Sequence, residues 1–564
     1  MRLSSFILVS FPLVGFFLAS HGFTSESAKL GLGVRKDNRS LAASSYDFSE
    51  DNRGETLDGL NAAIIGAGPS GLLLSHRLLR SGASSVSVFE SRPDPRSSGL
   101  AGLKGRAYAL GLGVRGRTAI RTVDEDLWQT VKKRGFESER FTLHISPSIK
   151  YRLRDKIEGL EPSLLTYQSD LCAALLDELD MRWKEKGLVL NFNSKVSGVN
   201  FSDLGVSITT TEAVDGSNKS MTIGSFDLIV GCDGVNSAVR KAIQECSPRG
   251  AFHCEVKPLP GAFKVARLKS MPPKLDPTSV ALLIPSSAKG KTKKVNKNKE
   301  KISSNDASKS SSVTAFVEPT AHGGACILFA GGRTDPASST NPILASDSRK
   351  AADLLTTDYM VEKFPLLEGT EGLEDAVQQL NNQKASTASS VKCNIYHFGC
   401  AALCGDAAHA TGGVSGQGVN SALVDSAVLA DCLEQNFDKE KSYDSIKRSF
   451  LQYSQMQVPE GLALYDLSFG SAGELPMLQK LGTLISTILD TVFGGKLGIG
   501  KPRLQTQLTT SLRPFADIRR ERAAYFSEEF PSNEAFKQAL RLLLSTTTTN
   551  PASPASSTTK GQEN

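Results

Sequence analysis

The sequence predicts an α/β fold with a parallel sheet that meets its ligand at the strand ends. Three stretches carry that prediction. Ala62–Ile65 runs into Gly66-Ala-Gly68-Pro-Ser70-Gly71, Leu228–Val230 runs into Gly231-Cys-Asp233-Gly234, and Ile395–Cys404 closes on Gly405-Asp406. Each is a short apolar run, then a glycine turn, then a helical pattern. Each chain glycine gives up backbone entropy on folding, so five of them within CGDAAHATGGVSGQGVN (404–420) need a reason. Ligands of open α/β sheets bind beyond the carboxyl ends of the strands.

The first stretch is the most explicit. After Gly71 an apolar-periodic segment, LLLSHRLLRSG, reads as a helix closing at Gly82, with Pro69 in its first turn, where a missing N–H costs nothing. A second strand, Val86–Phe89, ends in Glu90. This is the dinucleotide pattern: Gly66 makes the turn, Gly68 admits the pyrophosphate, and Gly71 lets helix and strand approach. The helix start offers free N–H groups and a favourable dipole to a diphosphate. Glu90 stands where ribose hydroxyls would be held. On its own the loop does not separate FAD from NAD.

The other two stretches separate them. NAD normally needs one such loop, whereas FAD is long and its ribitol and ring extend past it. Asp233 and Asp406 both stand at the carboxyl edge of a strand. Asp406 suits ribitol hydroxyls, and the helix start from Gly416 through Gly418, Val419 and Asn420 would aim N–H donors at the flavin. The Gly-rich run is bare because a flat ring lies against it. His409 reads as a support for this loop rather than a general base.

Composition adds boundaries. Of 564 residues, 40% are hydrophobic and 22% charged, ordinary for a globular enzyme. The formal charge of +6 is matched by residues 287–312, which carry eight lysines against Glu300 and Asp306. That segment reads as a disordered surface insertion, so nucleic acid is not expected as a partner. Nine cysteines are dispersed without CxxC pairs or zinc spacing, so neither a disulfide framework nor a metal site is expected. Arg2 followed by the apolar Phe6–Ala19 reads as a signal peptide over residues 1–22, too short to span a bilayer. The Ser-rich, mildly basic 23–55 reads as a transit-like or disordered segment, implying the secretory pathway or an organelle reached through it. No later run has eighteen uninterrupted apolar residues, so no transmembrane helix is expected. The stripe LQKLGTLISTILDTVFGG (478–495) reads as a helix on the core, with membrane-surface contact as the alternative.

Taken in order, GAGPSG with Glu90, GCDGVNSAVR and GDAAHATGGVSGQGVN resemble the three signature motifs of the FAD-dependent aromatic hydroxylases, the single-component flavoprotein monooxygenases. Within that family Gly105-Arg106…Arg115-Gly116-Arg117, DLIVGCDG, VEKFPLL, SVKCNIYHF and QVPEGLALYDLSFG are similar to pieces of the kynurenine 3-monooxygenases. The resemblance implies FAD near Ser70, Glu90, Arg92, Arg106, Gly111, Gln168, Val196, Asp406, Val419 and Asn420. It implies NAD(P)H as a transient co-substrate, O2 as oxidant, a small aromatic substrate, and no protein nucleophile, so no catalytic residue is assigned. It also implies that Arg140, aligned with a one-residue gap, grips a substrate carboxylate. The departures cluster on the substrate side. Gly413, Val414 and Ser415 replace a proline and two aromatics, Val424 replaces a glutamate, and Asp155 and Arg520 stand where tyrosines do.

The expected organisation is a Rossmann-like FAD-binding domain over 56–435 with a parallel sheet, interleaved with an antiparallel-sheet substrate domain at about 105–160 and 250–395. The long middle reads as short strands and loops. C-terminal helices follow over 436–545, and 546–564 is read as a disordered tail. The expected function is aromatic hydroxylation; the alternatives are an isoprenoid epoxidase or reductase, or a flavin-binding protein without oxygenase activity.

Overall fold

The computed structural model describes residues 56–97, 108–156, 158–202, 205–214, 217–286, 313–331, 341–345, 355–470 and 504–523, with positions 526, 536, 538 and 539 beyond. The signal and transit readings, Arg106, the lysine insertion, the 478–495 stripe and the tail lie outside the described residues.

The central sheet has six strands in the order His397–Phe398, Ala401–Leu403, Leu228–Gly231, Asn61–Ile65, Ser85–Phe89 and Leu188–Asn191. All pairings are parallel except that of His397–Phe398 with Ala401–Leu403. Parallel strands are covered on both faces, so they read as unbroken apolar runs; Ala62–Ile65 and Leu228–Gly231 are buried at every position. The Pro69–Arg80 helix covers one side, with Leu72, Leu73, Leu74 and Leu78 fully buried. It stops at Ser81, and Gly82 takes the left-handed conformation (φ 91°) that ends helices. The Gly418–Asn436 helix packs beside it, joined through the Ser70 and Ser426 hydroxyls at 2.8 Å.

A second six-stranded sheet runs Ala262–Leu268, Ala325–Gly331, Val313–Pro319, Ser279–Leu283, Arg140–His144, Lys150–Arg154. It is antiparallel but for one parallel pair, Ser279–Leu283 with Arg140–His144. Side chains alternate across a strand, and the two faces differ in their neighbours. Ala266, Val317, Ile327 and Phe329 share an outer core with Met360, Leu373 and Leu380 of the Thr357–Lys363 and Leu373–Asn381 helices. Val265, Cys326, Val280 and Phe141 face inward onto a three-stranded sheet made of Ala109–Leu112, Ser163–Tyr167 and Phe136–Ser138. That small sheet joins the two large layers.

The sequence expectation needs two corrections. Ile395–Cys404 is not one strand but a hairpin, because Gly399 turns the chain at φ 56° between His397–Phe398 and Ala401–Leu403. The middle is not all strand and loop: it holds the Val114–Arg121, Glu125–Lys132, Gln168–Trp183, Thr357–Lys363 and Leu373–Asn381 helices. The substrate sheet is antiparallel, as expected, but for that one parallel pair. The described C-terminal part is helical, with Ser442–Phe469, Leu504–Thr510 and Phe515–Glu521. Glu460 holds the last of these by accepting from the Phe515 and Ala516 N–H groups at 2.6 and 3.1 Å. All nine cysteines are free thiols.

Candidate functional site

The three glycine-marked strand ends are neighbours. Leu403, Gly231 and Ile65 lie in adjacent parallel strands in register, so Gly405, Cys232 and Gly66 emerge from one edge. The contact at this edge is close. A Cβ on Gly66 would stand 2.4 Å from the Cys232 carbonyl oxygen, and one on Gly405 would be 2.9 Å from the Ala422 Cβ and 3.8 Å from the Ser70 Cβ. Chain segments separated by hundreds of residues thus share one cleft.

The floor of that cleft has two properties. Its glycines face open space, since no atom lies within 4 Å of a Cβ built on Gly68, Gly413 or Gly416. Its donors are also unused by the fold. The Gly418–Asn436 helix has no side-chain cap, and its intrahelical bonding begins with Ser421 N–H to the Gln417 carbonyl, leaving the N–H groups of the first turn free. The Pro69–Arg80 helix likewise has no side-chain cap at Gly68.

Asp406 completes the floor. Its neighbours Gly405, Ala407 and Ala408 are buried, yet Asp406 itself faces solvent, and its Oδ1 lies 4.0 Å from the Cβ position of Gly418. It accepts no hydrogen bond from the described residues. The surrounding protein raises its carboxyl pKa by desolvation, which the nearby His409 opposes and Asp425 reinforces.

Behind the floor lies a support that sequence reasoning identified only in part. His409 donates from Nε2 to Asp425 Oδ2 at 2.6 Å, and the same oxygen accepts the Gly405 N–H at 2.9 Å. Tyr396 stacks on His409 at 5.6 Å between ring centroids. Gly461 is required there, since a Cβ would fall 2.0 Å from the Tyr396 hydroxyl. His409 is a support, as expected, but its partner is Asp425, to which the sequence reading gave no role. Burial alone would lower the His409 pKa; Asp425 overcomes that and raises it. A raised histidine pKa contributes stability that is fully present below the unfolded value of about 6.5 and is lost as pH rises through the folded value. Melting temperatures followed from pH 5 to 9 should therefore fall on the alkaline side in the native chain. That slope should flatten in His409→Asn; an unchanged slope would rule out an ionised pair.

The remaining expected residues divide by what the fold does with them. Glu90 and Arg92 come together with the first loop: Glu90 accepts from the Ala67 N–H at 3.1 Å and from Arg92 Nε at 2.9 Å. Burial would raise the Glu90 pKa, but Arg92 more than offsets this and keeps it ionised. Glu90 thus holds the glycine loop itself, and Arg92 is the exposed arm. Val196 is buried in a strand stitched to the same segment through Ser194 N–H to the Glu90 carbonyl, 2.8 Å. Gln168 opens its helix directly after Tyr167 and is half-buried. Gly111 meets the second helix start, its carbonyl accepting Asn420 Nδ2 at 2.9 Å.

Three expectations change. The Asn420 side chain is a strut, 1% exposed, bound to Gly111 and to the Gly113 N–H at 2.9 Å. Gly116 of the Arg-Gly-Arg segment is there for its sake, since a Cβ would lie 2.5 Å from Asn420 Oδ1. Asp233 caps the Ala238–Cys246 helix, accepting from the Ala238 N–H at 2.6 Å. Arg140 lies on the outer face of the second sheet, because its neighbours Phe141 and Leu143 turn inward. Its guanidinium binds Thr278 Oγ1 at 3.1 Å and faces Asp155 at 3.5 Å and Asp276 at 3.8 Å. A shallow, open concavity nearby is lined by Arg117, Arg154, Glu139 and Glu161; its arginines are engaged by local carbonyls and by Glu161.

Parallel strand ends, paired helix starts and a lone open carboxylate define a dinucleotide-binding flavoprotein of the open α/β class. Residues 60–447 match the family model described as an FAD binding domain, and the chain belongs to that family, that of the FAD-dependent aromatic hydroxylases. It is an FAD-dependent monooxygenase by this membership. Among curated proteins it is similar to kynurenine 3-monooxygenase of Salinispora arenicola, 26% identical over 80% of this chain and 88% of that one. Kynurenine 3-monooxygenase of Anopheles gambiae is 27% identical over 76% of this chain and 78% of its own length. Among solved structures, 2-methyl-3-hydroxypyridine-5-carboxylic acid oxygenase shares the fold, with a TM-score of 0.51, 17% identity and coverage of 77% of this chain and 95% of that one.

Proposed function

We propose that this protein uses NAD(P)H and O2 to hydroxylate a small aromatic substrate of the kynurenine type. One observation carries the reading: three strand ends share an edge whose glycines are open and whose Asp406 carboxylate is unbonded. FAD fits that edge, and when bound it supplies the redox chemistry and oxygen activation that side chains lack. Ser70 and Gly71 would give N–H groups to the pyrophosphate, Asp406 would accept from ribitol, and Gly418, Val419 and Asn420 would present backbone N–H groups to the flavin. Glu90 and Arg92 hold the adenosine side of the loop. The inner face of the second sheet closes the chamber, keeping water from the reacting ring and fixing its distance. The kynurenine 3-monooxygenase relatives, matched over most of their length, support the substrate class.

The test follows NADPH oxidation by the purified full chain with FAD and L-kynurenine. Stimulated oxidation with a hydroxylated product is the expected result. Oxidation that no aromatic stimulates, releasing only peroxide, would refute hydroxylation and leave a flavin-binding protein; stimulation by prenyl lipids instead would move the substrate to isoprenoids.

A further inference from the structure

The chain leaves for the second sheet through the Cys254–Pro258 strand and returns through Ser389–Cys393. Four of that sheet's six strands lie between them: Ala262–Leu268, Ser279–Leu283, Val313–Pro319 and Ala325–Gly331. So do the Thr357–Lys363 and Leu373–Asn381 helices. The two connecting strands pair antiparallel from Cys254 with Cys393 to Pro258 with Ser389, and together form the neck of this layer. At the base of the neck each strand carries a cysteine, one directly opposite the other.

The phase of the ladder decides whether the two sulfurs can meet. Opposite residues of an antiparallel pair alternate between hydrogen-bonded and non-hydrogen-bonded positions, and in the latter the Cα atoms are only about 4.5 Å apart with their side chains closer. In this register the Asn394 N–H donates to the His253 carbonyl at 3.0 Å and the Leu259 N–H to the Ala388 carbonyl at 2.8 Å. The hydrogen-bonded positions on the outgoing strand are therefore His253, Glu255, Lys257 and Leu259, and Cys254 lies between two of them. Pro258, which has no N–H to give, falls in the same phase as Cys254. A disulfide needs a Cα separation of about 4.4–6.8 Å, so this pair can be bridged without moving either strand.

The two thiols are unlike. Cys254 is partly exposed, whereas Cys393 is fully buried. The Cys393 thiol beside it, and then Arg240, hold the Cys254 thiol below its ordinary value against the effect of burial. Burial pushes the Cys393 thiol up. That division suits an attacking thiolate and a resolving thiol. Cys232 and Cys404 also follow paired residues, Gly231 and Leu403, but the Cys404 sulfur shares a hydrogen bond with the Tyr453 hydroxyl at 3.3 Å inside the core.

We propose that Cys254 and Cys393 are a site of reversible modification by hydrogen peroxide, where a disulfide staples the two strands of the neck. The staple closes a loop of about 140 residues that contains most of the substrate layer. It also lies one strand from the cofactor support, since Ser389–Cys393 pairs with His409–Thr411 and Arg240 donates to the Ala407 carbonyl at 2.8 Å. The Cys254 thiolate attacks one peroxide oxygen; the O–O bond breaks, hydroxide leaves and is protonated to water, and Cys254 becomes a sulfenic acid. The Cys393 sulfur then attacks the Cys254 sulfur; the S–S bond forms, the S–O bond breaks, and hydroxide departs with the Cys393 proton as water. Two thiols give up two electrons, and one peroxide becomes two waters. A dithiol reverses the step by exchange and is itself oxidised to a disulfide. Neither step uses the aromatic substrate, so the site stands or falls apart from the hydroxylation reading.

The experiment treats the reduced, FAD-loaded full chain with hydrogen peroxide, then counts thiols after denaturation and maps the peptides of the monomer without reduction. Two of the nine thiols should be lost, with Cys254 and Cys393 recovered in one cross-linked peptide and both thiols restored by dithiothreitol. The oxidised protein should melt about 3 °C or more above the reduced one. Cys254→Ser should form no cross-link and gain no melting temperature on oxidation. Cys393→Ser should stop at a sulfenic acid on Cys254, captured by dimedone. The peptide map of the native chain needs neither variant to fold. Survival of all nine thiols, loss mapped to Cys232 with Cys404 or to the exposed Cys246 alone, or a cross-link that leaves the melting temperature unchanged overturns the proposal.

Discussion

Asp406→Ala is expected to purify colourless. The carboxylate accepts nothing from the described residues, so its hydrogen-bonding capacity is available to a ligand. Each bond to a charged group contributes about 1.5–3 kcal/mol, and loss of two would weaken FAD by roughly 100- to 10,000-fold. The same fact predicts what should not change. A side chain that holds no part of the fold can be removed with an effect on stability within about 0.5 kcal/mol, and the apoprotein should melt as the native apoprotein does. Asp425→Ala, about two turns into the Gly418–Asn436 helix, should behave in the opposite way. It would strip the Gly405 N–H and His409 of their shared acceptor, and the chain should melt early whether or not flavin is present. Titration of the two apoproteins with FAD, read by quenching of flavin fluorescence, and their melting curves separate the roles. An Asp406→Ala protein that retains stoichiometric flavin would remove Asp406 from the site.

What the sequence disclosed follows from which interactions are local. The Asn61–Ile65 and Leu228–Gly231 strands were legible because parallel strands buried on both faces leave unbroken apolar runs. The glycine turns were legible because a left-handed or crowded backbone admits little else. The hairpin at Gly399 was missed because two short strands and their apolar turn look like one longer strand. The Val114–Arg121 helix was missed because three arginines and a glycine hide its period; Arg115 and Arg117 are nevertheless buried, Arg115 against the Phe515 ring at 4.1 Å. Which arginine faces the chamber depends on strand pairing. Arg140 and Arg267 are both strand residues with apolar neighbours, and only the register of the sheet turns one outward and the other inward. Asn420 likewise sits in a motif read as cofactor-binding, while its side chain bonds a segment more than 300 residues earlier.

The first loop allows stability and binding to be separated with two substitutions three residues apart. In Gly71→Ala the new Cβ would stand 2.1 Å from the Gly66 carbonyl oxygen and 3.2 Å from the Cys232 Cβ. The obstructing atom is backbone, so it cannot rotate away, and Gly66 is itself fixed by its N–H to the Phe89 carbonyl at 2.8 Å. The helix must therefore withdraw from the sheet, taking Leu72, Leu73 and Leu74 from the core. We expect a loss of about 3 kcal/mol or more, visible as an early melt, with flavin affinity falling as a consequence. Gly68→Ala meets none of this. Its backbone is extended (φ −81°, ψ 177°), which alanine adopts freely, and its Cβ would enter space with no atom within 4 Å. The apoprotein should be as stable as the native one, or up to about 1 kcal/mol more so through reduced unfolded-state freedom. Its affinity for FAD should nevertheless fall, because the methyl group occupies the approach of the pyrophosphate. Native melting in Gly71→Ala would contradict the contact between loop and helix, and undiminished flavin binding in Gly68→Ala would mean that the ligand does not pass over this loop.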